Sequence, residues 1–132
     1  MSDQDILART CWGEERSLGK QAMQAVCNVV LNRVAAQRWW GLTIQEVCKK
    51  PMQFDCWNPD DPNYKKLLEV DETDPQFAIA MQIAQDACRG CLPDITNGAT
   101  SYYNNTISPP NWAENHIPCA AFGSMLCFND VP

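Results

Sequence analysis

Two adjacent carboxylates, Glu14 and Glu15, lie in the run Cys11-Trp12-Gly13-Glu14-Glu15-Arg16, where one apolar helical pattern stops and a second begins. A carboxyl group at such a junction can face a cleft while its neighbours pack. Beside apolar bulk such as Trp12, and partly desolvated at a helix end, its pKa rises towards the range useful to a general acid. A protonated carboxyl next to a leaving oxygen is what cleavage of a glycosidic bond requires. Glu14 is therefore the first catalytic candidate and Glu15 the second. The plainer alternative is that both acids only complement the positive N-terminus of the following helix. Taken alone, the base rate for exposed acids favours that alternative. Hydrolytic glycosidases use a further carboxylate, as nucleophile or to activate water. Asp55, in Gln53-Phe54-Asp55-Cys56-Trp57, is the nearest candidate, although loop aspartates commonly build turns.

The aromatic residues Trp39, Trp40, Trp57, Tyr102, Tyr103 and Trp112 offer flat apolar faces with polar tips, which suit saccharides. About half are expected to be ordinary core or loop anchors, given the area each buries. Asn32 and Arg33 read as residues that end the second helix with hydrogen bonds without touching substrate. His116 is the single histidine and reads as a loop residue. Cys88-Arg89-Gly90-Cys91 is a lone CxxC; zinc would need two more ligands, and a redox role a βαβ setting. Its expected role is structural, and neither a metal nor a cofactor is expected.

The elements that must hold these groups are mostly helical. Ser2 followed by Asp5 is an N-cap with an acid at the third position, opening a helix through Ile6, Leu7 and Cys11. Gly13 permits a break or a close approach beside Glu14. Lys20 to about Ala36 carries an apolar face at Ala22, Val26, Val29, Val30 and Val34, the strongest helical pattern in the chain. Thr43 caps a short helix through Cys48. Residues 50–62 read as loop, broken by Pro51, Pro59 and Pro62. Asp74-Pro75 starts another helix, cap then proline, running through Cys88 to a stop at Gly90. Beyond Leu92 the chain reads as irregular, with one short strand pairing near 99–103. The expected architecture is a mainly α, small single domain over residues 1–132, with long loops and one short β-hairpin.

Composition narrows the partners. A net charge of −6 and no cluster of Lys or Arg argue against nucleic acid. The same acidity disfavours long-range attraction to anionic surfaces, so any carboxylate-bearing substrate must be held by local contacts. Eight cysteines in 132 residues point to an oxidising site of action and at least two disulfides, while their 105 possible pairings leave the connectivity open. Cys27, inside an apolar helix, reads as a small buried hydrophobe. No run reaches transmembrane length, and the start Met1-Ser2-Asp3-Gln4-Asp5 lacks the basic and apolar regions of a signal peptide.

Several segments, in order, resemble the SleB-like cell-wall hydrolases, the family of the spore cortex-lytic enzyme catalytic domain. They are Leu7-Ala8-Arg9-Thr10, Gly13-Glu14-Glu15-Arg16, Gly19-Lys20-Gln21-Ala22, residues 29–34, Gln53-Phe54-Asp55-Cys56-Trp57, Ala99-Thr100-Ser101-Tyr102 and Pro110-Asn111-Trp112-Ala113. Each is weak alone; the ordered set spans nearly the whole chain. The resemblance implies a lysozyme-like fold and cleavage of peptidoglycan glycan strands between N-acetylmuramic acid and N-acetylglucosamine. It makes Glu14 the general acid and implies that Gln53 and Tyr102 line the same cleft, with Phe54, Trp57 and Trp112 as further substrate-binding candidates. It also favours lytic transglycosylase chemistry, in which one Glu acts as acid and then base and the sugar's own 6-hydroxyl attacks. Three departures stand out: Glu15 replaces the family's usual alanine, the segment between Arg16 and Gly19 is short, and Gly123 to Phe128 lacks the family's histidine.

The resulting expectation is a monomeric wall lysin, phage or prophage endolysin or bacterial enzyme. It would be made in the cytoplasm and act in the periplasm or cell wall after release by another route, such as a holin, with no membrane insertion. A hydrolytic muramidase and an inactive, cysteine-rich wall-glycan binding protein are the alternatives. An amidase, which would need zinc and several histidines, fits poorly.

Overall fold

The computed structural model describes all of residues 1–132: five α-helices, then a three-stranded antiparallel sheet. Helix α1 (Asp3–Glu15) starts at Ser2, whose Oγ accepts the Asp5 N–H at 3.1 Å, with Asp3 and Asp5 complementing its N-terminal dipole. Its far end is closed by Arg16. That guanidinium donates to the Trp12 and Gly13 carbonyls and lies 4.1 Å over the Trp12 ring. A 3₁₀ turn, Arg16–Leu18, and Gly19 at φ +92° then redirect the chain into α2 (Lys20–Ala36).

The core lies where α1, α2 and α5 (Pro75–Cys88) pack on one another, around Leu7, Cys11, Met23, Val26, Val30 and Ala84. Asp74 caps α5 by accepting from the Gln76 and Phe77 N–H groups, and the Trp12 indole N–H reaches the same carboxylate at 3.3 Å. One cap therefore also fixes α1 against α5. Cys27 is not a free core thiol. It forms a disulfide with Cys11, tying α1 to α2 across 16 residues. Closing a loop of that length stabilises the fold by about 3 kcal/mol in the chain-entropy picture. It is the one disulfide present, and the other six cysteines are free thiols, so the expectation of at least two is corrected.

Helix α3 (Ile44–Lys49) follows its Thr43 cap as read. Helix α4 (Tyr64–Glu69) is an element beyond the sequence reading. Arg9 of α1 donates to the Leu67 and Val70 carbonyls at 2.6 and 3.0 Å, so a neighbouring helix satisfies the end of this one.

Strand β1 (Ser101–Asn104) pairs with β3 (Met125–Phe128), which also pairs with β2 (Ala120–Phe122), giving the order β1-β3-β2. Tyr102 stands opposite Cys127. The short pairing expected near 99–103 thus exists, and its partner lies more than twenty residues further along. Helix α2 places this sheet through polar side chains at helical spacing. Asn28 donates to the Pro93 carbonyl and accepts the Ile95 N–H; Asn32 donates to Asp94 and to the Ala99 carbonyl. Asn32 therefore anchors the loop that delivers β1 and does not end its own helix. No helix is long and apolar enough to cross a membrane.

Candidate active site

Where the end of α1 meets β1 and residues 52–54, a cavity of about 290 Å³ opens to solvent. Glu14, Arg33, Gln53, Ser101 and Tyr102 supply its polar groups, and Trp39, Met52, Phe54 and Trp112 its larger apolar walls. Of the residues picked from sequence, Glu14, Gln53, Phe54, Tyr102 and Trp112 come together here from segments up to 98 positions apart.

Glu14 accepts a hydrogen bond from the Tyr102 hydroxyl onto Oε1 at 2.6 Å. Burial pushes its pKa above the ordinary carboxylate value; the Tyr102 hydroxyl and the thiol and backbone N–H of Cys56 oppose that rise, and the negative charge of Asp55 adds slightly to it. Burial and the neighbouring Glu14 also hold the Tyr102 phenol well above its usual pKa. Tyr102 accordingly stays protonated and remains a donor to Glu14 through any cycle in which Glu14 changes charge. The Cys56 side chain comes this close because residue 13 is glycine. A Cβ there would meet Cys56 Cβ at 2.8 Å and Leu67 Cδ1 at 2.9 Å.

The adjacent acid takes the opposite course. Glu15 is 2% exposed and accepts from Asn104 Nδ2 at 2.7 Å. It does not line the cavity. Buried there, its pKa is also raised, first by desolvation. Its contact braces β1 against α1, two residues beyond Tyr102.

Asp55 and Trp57 also fall outside the cavity. Asp55 is exposed and lies in a neighbouring groove with Trp57, Lys49 and Asn58, for which Met52 and Phe54 form the shared wall. The Trp57 indole donates to Thr10 Oγ1 at 2.9 Å and its ring carries Lys49 Nζ at 4.9 Å. That is a structural anchor at the edge of the site. Trp40, fully buried with its N–H on the Arg33 carbonyl at 2.7 Å, is core. Tyr103 stacks on Phe128 and meets Trp112 edge-on, which props Trp112 at the cavity wall. His116 is a loop residue 3.0 Å from Asp130.

Arg33 is the main residue that sequence reasoning missed. It lines the cavity, donating from Nε to the Thr100 carbonyl at 2.6 Å and from Nη1 to Gln53 Oε1 at 3.2 Å. The signal was available. Arg33 lies in the last turn of a helix among apolar residues, and no acid stands three or four positions away to pair with it. Trp39, 55% exposed, and Met52, 94% exposed and held at φ +66°, complete the cavity's rim.

Two solved structures share this fold. The catalytic domain of the Bacillus cereus SleB protein superposes with a TM-score of 0.71 at 23% identity, over 97% of this chain and 91% of that one. The catalytic domain of the germination-specific lytic transglycosylase SleB from Bacillus anthracis gives 0.73 at 22% identity, over 97% and 96%. No curated protein matches the sequence. Residues 17–128 match the family described as Cell Wall Hydrolase. That span starts just past Glu14, which the end of α1 and the Tyr102 hydroxyl carry into a cavity lined mostly by matched residues. With most of its length covered by that match, and with the SleB fold throughout, the chain belongs to the cell wall hydrolase family.

Proposed function

We propose that the protein cleaves peptidoglycan glycan strands between N-acetylmuramic acid and N-acetylglucosamine as a lytic transglycosylase, with Glu14 as acid and then base. The observation that carries this reading is a partly buried, pKa-raised carboxyl that is the cavity's one carboxylate side chain. Glu15 is engaged with Asn104, and Asp55 lies across the Met52–Phe54 wall. Water-activating or nucleophilic mechanisms need a second carboxylate in reach; intramolecular attack does not.

The steps follow from that arrangement. Protonated Glu14 gives its proton to the glycosidic oxygen as the bond to the muramyl C1 breaks, releasing the N-acetylglucosamine 4-hydroxyl. Glu14, now a carboxylate, is stabilised by the Tyr102 hydroxyl. It then takes the proton of the muramyl C6 hydroxyl as O6 bonds to C1. The products are a 1,6-anhydromuramyl end and a free 4-hydroxyl end. No water is consumed and Glu14 is again protonated. Trp39 and Trp112 offer faces for the sugar rings. In this reading the chain is a single monomeric catalytic domain acting at the cell wall, as a lysin of phage or bacterial origin.

Asp55 gives the sharpest test against a hydrolytic muramidase. Asp55→Asn should keep activity within about threefold of wild type, because Asp55 acts on Glu14 only through a small charge effect. The basic limb of its pH–rate profile should shift slightly downward, since removing a nearby negative charge lowers the Glu14 pKa. A loss of a hundredfold or more, general acid–base scale, would make Asp55 a direct participant and the reaction hydrolysis.

Tyr102→Phe removes the donor that favours ionised Glu14, so the Glu14 pKa should rise further and the basic limb should move up. Turnover should fall about ten- to a hundredfold, the worth of a hydrogen bond to a charged group. Rate measurements across pH on solubilised glycan strands would show both changes together. A fall in rate with an unmoved profile would assign Tyr102 to substrate contact alone.

A further inference from the structure

Arg33 is 7% exposed and has no anionic partner. The ion pairs between lysine or arginine and an acid join Arg9 to Asp5 and Lys65 to Glu69, and neither involves Arg33. A guanidinium keeps its charge when buried, and a buried charge left unpaired is costly. Its two acceptors, the Thr100 carbonyl and Gln53 Oε1, are neutral. Nη2 meets no protein acceptor, and it is not among the polar atoms sealed from solvent. The rings of Trp40 and Phe54 lie 5.1 and 5.6 Å from Cζ and hold the group in place. Arg33 is also the one cation lining the cavity that holds Glu14.

A pre-positioned cation with a free donor calls for an acceptor on the ligand. Both sugars of the glycan strand carry a neutral acetamido group at C2, for which an uncharged donor suffices. The muramyl sugar alone carries a 3-O-lactyl group ending in a carboxyl. Because the chain is net acidic, −6 overall, it repels an anionic strand at long range and needs a local cation to hold one. Resting on the function proposed above, we infer that Arg33 reads the lactyl carboxyl of the muramyl sugar through Nη2 and so selects muramyl over N-acetylglucosaminyl residues beside Glu14. The carboxyl is an anion where the stem peptide has been removed and an amide carbonyl where it remains. A guanidinium bonds the anion more strongly than the amide.

The test measures binding to the Glu14→Gln protein, which cannot turn the ligand over. Three matched oligosaccharides serve as probes: peptide-free muramyl–glucosaminyl oligomers, peptide-bearing ones, and N-acetylglucosamine oligomers. Affinity should fall in that order, with about ten- to a hundredfold between first and last, as for one charged hydrogen bond. Adding Arg33→Gln should reduce that gap to about threefold or less while leaving the N-acetylglucosamine oligomers nearly unaffected. Should the Arg33 variant fail to fold, the comparison of ligands on the Arg33-containing protein still decides. Equal affinity for all three, in a protein whose wild type cleaves peptidoglycan, overturns the inference and leaves the proposed reaction standing. Tighter binding of peptide-bearing than of peptide-free strands would also overturn it, assigning selection to the peptide. No binding and no cleavage of any strand overturns the reaction itself, and the inference with it.

Discussion

Glu14→Gln should lower turnover on peptidoglycan by about a thousandfold or more, since general acid–base assistance is worth 10²–10⁴-fold and here one group serves both steps. Binding of uncleaved strands should survive, because the amide keeps the shape of the carboxyl and can still accept from the Tyr102 hydroxyl. The same substitution should raise thermal stability at neutral pH. Burial holds the folded-state pKa of Glu14 above its unfolded value. As pH rises through the ordinary carboxylate range, the unfolded chain therefore releases this proton while the folded protein retains it, and stability falls until the folded pKa is passed. Glutamine has no proton to lose. The variant's melting temperature should exceed wild type by a few degrees at neutral pH, and the difference should shrink at pH below the unfolded carboxylate pKa. A variant that melts well below wild type at neutral pH would mean that Glu14 is held by structural contacts the glutamine breaks.

Gly13→Ala should produce the second large effect, by geometry alone. The added Cβ would sit 2.8 Å from Cys56 Cβ and 2.9 Å from Leu67 Cδ1, one residue from the acid. Alanine gains about 1 kcal/mol of helix preference over glycine, and overpacking costs about 1–3 kcal/mol. The net loss of stability should therefore be modest, between about 0 and 2 kcal/mol. Activity should suffer more. Cys56 is one of the groups acting on the Glu14 carboxyl, and a displacement on the order of 1 Å at a reacting group can cost about a hundredfold. Chemical denaturation and rate measurements on one preparation would separate the two. A variant as active as wild type would show that the close approach is not needed to aim Glu14.

Those two positions were legible in the sequence because they share one short motif at a helix end. The helices announced by their own caps were legible too: Ser2 for α1, Thr43 for α3 and Asp74-Pro75 for α5. Helix α4 was not, because its carbonyls are satisfied by Arg9 from a helix 58 residues away. The second and third strands were hidden for a related reason. Strand β1 finds its partner in residues 125–128, and no local alternation reveals a pairing of that span.

Cysteine density overstated the disulfides and missed the pairing of Cys27, since density carries no geometry. For Arg33, a position near a helix end does not reveal which way the side chain faces. Asn28, Asn32 and Arg33 together face the loop that leads to Tyr102, and that shared direction is a property of the fold. Asp55 and Trp57 follow Gln53 and Phe54 directly in sequence, yet the chain turns at Asp55–Trp57 and sends them into the next groove.

The most direct measurement is mass spectrometry of the soluble products released from purified peptidoglycan by wild type and by Glu14→Gln. A lytic transglycosylase with a single catalytic carboxyl gives muramyl ends in the 1,6-anhydro form, lighter by one water than hydrolytic products, and these should vanish with the variant. Reducing muramyl ends from the wild type would contradict the account, by requiring a water and a second group to activate it. Undiminished products from Glu14→Gln would contradict it at its centre.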